Sequence, residues 1–149
     1  MILPYSIFQA FTDYLVIPDL STPIASIFSN AVVRPAADIY GDPSNHGELY
    51  VCSNYPRCQS YVGIHPGTMI PMGTLANGDL RNLRIKAHRT FDRIWQNKIM
   101  SRDSAYRWMA DYFGLRLQDA HIGMFGEYRC SELIKECERI LAQNHRAVS

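Results

Sequence analysis

The chain has 149 residues, of which 47% are hydrophobic and 19% charged, with a formal net charge of +1. That length and balance fit one globular domain with a sizeable core and exclude an intrinsically disordered chain. No run approaches the ~18 apolar residues of a membrane helix, and four scattered cysteines are too few for a secreted disulfide scaffold.

The opening MILPYSIFQAF lacks the basic region and small-residue cleavage site of a signal peptide. The expectation is a reducing, cytoplasmic setting with no membrane contact. Charge is unevenly spread. Residues 1–50 hold one basic residue, Arg34, against five acidic ones, whereas residues 81–107 hold eight basic residues against Asp92 and Asp103. Such asymmetry marks either a face for an acidic partner or a solvated helix surface.

Residues 4–16, PYSIFQAFTDYLV, have the spacing of a short amphipathic helix ended by Pro18 and Pro23. Residues 31–40 read as a strand interrupted by Pro35, and GDPSNHG as a turn. Two β-type runs follow at 48–52 and 59–64, joined by SNYPR, which predicts a hairpin. HPGTMIPMG is a loop.

Three helices are predicted to finish the chain. The first spans 78–97 with Asn77 as its cap, the second starts at the cap Ser101 and stops at Gly114, and the third spans 127–143. HIGMF, residues 121–125, is a strand or a buried loop. On the third helix Cys130, Leu133, Ile134, Cys137, Ile140 and Leu141 form one apolar stripe. Both cysteines therefore read as small buried hydrophobes. Seven residues of helix separate them by about 10 Å, beyond the reach of a disulfide.

On the helix 78–97, Leu80, Leu83, Ala87, Phe91 and Ile94 gather on the core face, with Lys86, Arg89 and Arg93 nearly opposite. Arg81, Arg84, His88, Asp92 and Trp95 run between the two. One reading has Asp92 pair with His88 or an arginine and tie helices together. The other has Arg81 and Arg84 present their forks to phosphate, assisted by His88, with Tyr55, Tyr61, Trp95 and Trp108 available to stack on bases. No motif fixes a catalytic geometry, so no catalytic residue is assigned. His65, His88, Asp92 and His121 are what a small metal-dependent hydrolase or nuclease would use.

Cys52 and Cys58 flank the hairpin turn and have the look of half a zinc site, since structural zinc takes four Cys or His ligands. No cysteine precedes Cys52. His46 and His65 would complete a set spaced H-x5-C-x5-C-x6-H.

YVCSNYPRCQSYVGIHPGT, PMGTLANGDLRNLRIKAHRTFDRIW, SRDSAYRWMADYFGL and HIGMF, in that order, resemble the bacterial and phage zinc-finger-containing domain of unknown function, over about residues 31–140. That family opens with a CxxC ahead of a segment ending in IYG. Counting back from Ile39-Tyr40-Gly41, the resemblance implies that Ile24 and Ile27 stand where the family carries its first two cysteines. Two buried isoleucines contribute about 1.5–3 kcal/mol each, so the expectation is a metal-independent fold, with Cys52 and Cys58 the only residual ligands and no obligatory cofactor.

The resulting expectation is an α+β protein: a small zinc-ribbon-like antiparallel hairpin or sheet packed on three C-terminal helices, with a short N-terminal helix. Residues 1–25 would be a divergent extension able to mediate self-association, and 26–149 a single domain. Function is expected to be non-enzymatic binding of nucleic acid, or of a nucleic-acid-bound complex, through Arg81, Arg84, Lys86, His88, Arg89 and Arg93. The alternatives are a phage or mobile-element accessory protein that inhibits a host machine, and the small hydrolase.

Overall fold

Three short strands and four α-helices make up residues 30–148, the part of the chain described by the computed structural model. In chain order these are β1 (Ala31–Pro35), α1 (Ala36–Tyr40), β2 (Glu48–Cys52), β3 (Tyr61–Gly63), α2 (Gly78–Gln96), α3 (Arg102–Phe113) and α4 (Glu127–Val148). The architecture is α+β, as the sequence implied. The expected N-terminal helix, the 1–25 extension, and Ile24 and Ile27 lie outside the described residues. No described helix is long and apolar enough to cross a membrane.

The strands form one antiparallel sheet in the order β1-β2-β3. Along β2 the side chains alternate, and Leu49 and Val51 are the buried pair. They pack with Ala36 of α1, and Ile39, Tyr55 and Tyr61 close this small core. The stretch 31–40 is not one interrupted strand. Pro35 ends β1 and serves as the N-cap of α1, with φ of −57°, close to the value its ring imposes. Ala36 N then donates to Gly47 O at 2.8 Å, and Gly41, with φ of +67°, stops the helix. The strand expected at 59–64 narrows to Tyr61–Gly63, with Ile64 bridging Pro71.

The larger core lies among α2, α3 and α4. Phe91, Ile94, Met109, Phe125 and Leu133 are fully buried in it, as are Cys130 and Cys137, which behave as the small apolar groups their spacing predicted. The caps are those read from the sequence. Asn77 Oδ1 accepts from Leu80 N at 2.9 Å, Ser101 Oγ accepts from Ser104 N at 3.2 Å, and Gly114 ends α3 in the left-handed conformation. Helix α4 runs on to Val148, beyond the expected end at 143.

HIGMF is a loop around a short 3-10 turn, Ile122–Met124, with Ile122 and Phe125 buried and Met124 exposed. Its backbone lies directly on the segment after the sheet, where Thr74 N donates to Gly123 O at 3.1 Å. A Cβ on Gly73 would overlap the Gly123 carbonyl, and one on Gly123 would lie 2.5 Å from Met72 O. Both positions need glycine because backbone packs on backbone there.

Candidate functional site

Two features carry the chemistry expected from the sequence: the outer face of α2 and the paired thiols at one end of the sheet.

Helix α2 divides its cations between internal and external duty. Arg84 is buried at 8% exposure. Its Nε donates to Phe125 O at 2.9 Å, Nη1 to Thr74 O at 2.9 Å and Nη2 to Thr74 Oγ1 at 2.6 Å. Burial lowers its pKa. This corrects the expectation that Arg84 faces a partner, because its fork is occupied by the protein's own oxygens. Arg81 is engaged likewise. Its guanidinium lies over the Tyr61 ring, 3.5 Å from the centroid, and Nη1 donates to Gln59 O at 3.2 Å and to Ala76 O. Arg81 thus ties α2 to the sheet.

Lys86, Arg89 and Arg93 remain outside. All three are exposed, and none makes an ion pair among the described residues. Their burial follows the helical period, since Ala87, Thr90, Phe91 and Ile94 turn inward between them.

Three of the four expected stacking rings have a guanidinium over them. Arg81 covers one face of Tyr61, and Tyr40 meets the same ring edge-on at 5.7 Å. Arg34 lies over Tyr55 at 5.4 Å. Trp95 has Arg102 over its ring at 5.9 Å, while its Nε1–H is buried without an acceptor among the described residues. Trp108 leans on Tyr112 with centroids 5.8 Å apart.

His121 lies close enough to His88 to feel its charge. His88 is exposed as a residue, and partial desolvation of its ring lowers its pKa against the opposing pull of Asp92. Burial lowers the pKa of His121, the charge of His88 adds to this, and Asp119 opposes it. Asp92 acts on His88 through its charge, but the two share helix α2, so this does not tie helices together. His65 lies elsewhere, in the turn after β3 where its carbonyl accepts from Thr68 Oγ1 at 2.7 Å. Among the described residues no three or more His, Cys, Asp or Glu side chains gather so as to hold a metal.

At one end of β2, Cys52 and Cys58 are carried on one turn, in which Cys58 N donates to Asn54 O at 3.0 Å and Cys52 N to Ser60 O at 2.9 Å. Each thiol acts on the other, which lowers the pKa of Cys58 and raises that of Cys52. Ser53 N donates to Asn30 O at 2.7 Å, so the chain entering β1 passes beside the pair. His46 and His65 are at the opposite end of the sheet. His46 precedes β2 by two residues, and Ile64 N donates to Glu48 O at 3.0 Å, whereas Cys52 N pairs with Ser60 O. Six extended residues span about 20 Å, so the H-x5-C-x5-C-x6-H set does not converge.

An antiparallel sheet ending in a paired-thiol knuckle beside a helical core defines an α+β module of zinc-finger type. The chain belongs to the family of the zinc-finger-containing domain, whose family model matches residues 24–140. No curated protein and no solved structure matches the chain.

Zinc in a structural site takes four thiolate or imidazole ligands, usually as two pairs. These residues supply one pair. No Cys or His precedes His46 in the sequence, and Cys130 and Cys137 are buried in the helical core. Cys52 and Cys58 would be the ligands from this chain, and the other two of a four-ligand centre have no source at the same point. The donor set present does not fit a complete structural zinc site.

Proposed function

We propose that the chain is a non-enzymatic binding module that holds nucleic acid through the outer face of α2. The observation that supports this reading is the row formed by Lys86, Arg89 and Arg93, exposed and without ion pairs among the described residues. Lys86 and Arg93 are seven residues apart, about 10 Å along the helix axis. That matches the rise over about three phosphates of one strand. Cations held on a rigid helix contact phosphates without reading bases, so binding is expected to be sequence-tolerant and salt-sensitive. His88, on the neighbouring flank, adds charge to the surface when protonated.

Fluorescence anisotropy with a labelled oligonucleotide at low ionic strength tests the reading. The wild type should bind, and a Lys86→Glu, Arg89→Glu variant should bind at least tenfold more weakly with its melting temperature unchanged. Equal binding by both proteins, or binding by neither, contradicts it.

A protein partner is the second reading, and Ile85 favours it. This side chain is 48% exposed and stands one helical turn from Arg89. A mixed apolar and cationic strip suits an acidic protein surface. Capture of a partner that survives nuclease treatment and is lost with Ile85→Ala would support this reading over the first.

A further inference from the structure

The thiol pair that fails to complete a metal centre has an arrangement of its own. Cys52 and Cys58 lie on one short turn, and both residues are half-buried and so open to small solutes. The backbone around them is anchored on every side. Tyr55 N donates to Cys52 O at 2.9 Å, Cys58 N to Asn54 O at 3.0 Å, and Cys52 N to Ser60 O at 2.9 Å. These bonds fold the chain back on itself, so that Cys58 is held on the same turn as Cys52. The remaining cysteines, Cys130 and Cys137, are fully buried and take no part.

We propose that Cys52 and Cys58 form a reversible dithiol–disulfide site that exchanges with a low-molecular-weight disulfide of the glutathione type. In the first step the thiolate of one cysteine attacks a sulfur of the small disulfide. A mixed disulfide forms, the small S–S bond breaks, and one small thiolate leaves and takes up a proton. In the second step the thiolate of the other cysteine attacks the protein sulfur of the mixed disulfide. The Cys52–Cys58 bond forms, the bond to the carrier breaks, and a second small thiol leaves with the second proton. Two protein thiols are oxidised and one small disulfide is reduced to two thiols. Excess thiol drives the sequence backwards.

The turn that closes is joined to α2, because Gln59, next to Cys58, accepts from Arg81 Nη1. The inference does not rest on the nucleic-acid reading. An observation on the sulfurs alone tests it.

The experiment uses the full chain, reduced, freed of reductant and incubated with oxidised glutathione. Free thiols are then blocked with an alkylating reagent and the digest is analysed by mass. The expected result is a Cys52–Cys58 link that reductant reverses, with Cys130 and Cys137 recovered as free thiols. In Cys52→Ser and in Cys58→Ser the remaining cysteine should retain a glutathione adduct, because the resolving thiol is gone. The proposal is overturned if wild-type Cys52 and Cys58 are alkylated as free thiols, or if either keeps the adduct unresolved. Zinc that co-purifies with the pair at one ion per chain, and blocks exchange, overturns it as well.

Discussion

Arg84 and Phe125 lie 41 positions apart in the chain, and the Nε–H of the arginine donates to the carbonyl of the phenylalanine at 2.9 Å. With two further bonds to Thr74, the guanidinium joins α2, the loop after the sheet and the HIGMF turn. Removing it leaves buried carbonyls without donors, at a cost of about 2–4 kcal/mol. Arg84→Ala should therefore lower the denaturant midpoint strongly. Arg84→Lys should recover little of it, because an ammonium has no planar fork. Arg89→Ala, on the open face, should stay within about 0.5 kcal/mol of wild type. Chemical denaturation of the three variants checks this.

Gly73→Ala should destabilise the fold by about 1–3 kcal/mol, the usual penalty of forcing atoms into a packed interior. The added methyl meets the Gly123 backbone, which cannot swing aside as a flexible side chain would. Gly126→Ala is the control, since nothing lies within 4 Å of its new Cβ. Thermal unfolding of both variants should show a large shift for the first and a small one for the second.

The cysteines should fall into two classes of reactivity. Burial raises the thiol pKa of Cys130 and pushes that of Cys137 up to about 12, so both hold their protons and are shielded from reagents. Cys52 and Cys58 are half-buried. Timed alkylation under native conditions should modify only Cys52 and Cys58, and all four cysteines should react after unfolding.

Acid should weaken the fold before the carboxylates titrate. Burial lowers the pKa values of His65, His88 and His121 below 6.5, the ordinary value. In the window between folded and unfolded values the unfolded chain binds more protons, so stability rises with pH there. The contribution is complete above about pH 6.5 and is lost as the pH falls through the folded values. Melting temperature should therefore decline from about pH 7 to about pH 5. His121→Asn should flatten that decline.

Much of the architecture was legible because it rests on local rules. The helical periods of α2 and α4, the caps Asn77 and Ser101 and the stop at Gly114 are decided within a turn or two of chain. Helix α1 is hidden in the sequence because a proline inside a β-type run signals a broken strand, whereas Pro35 closes one element and opens the next. The site was only half legible. Helical spacing put Arg81 and Arg84 at the edge of the core, but it could not reveal Gln59 O, Thr74 O and Phe125 O, which come from distant segments. Lys86, Arg89 and Arg93 were assigned to solvent by the same spacing, and their exposure needs no tertiary knowledge. The separation of His46 from Cys52 follows from the extended run of β2 between them, which motif spacing alone does not encode.

The most direct test of the account is the salt dependence of oligonucleotide binding. Three phosphate contacts from Lys86, Arg89 and Arg93 give a slope of log affinity against log salt of roughly −2 to −3. Substituting alanine for each of the three should abolish it. A slope near zero, or a steep slope that survives the triple substitution, would contradict the claim that this row of cations holds the ligand.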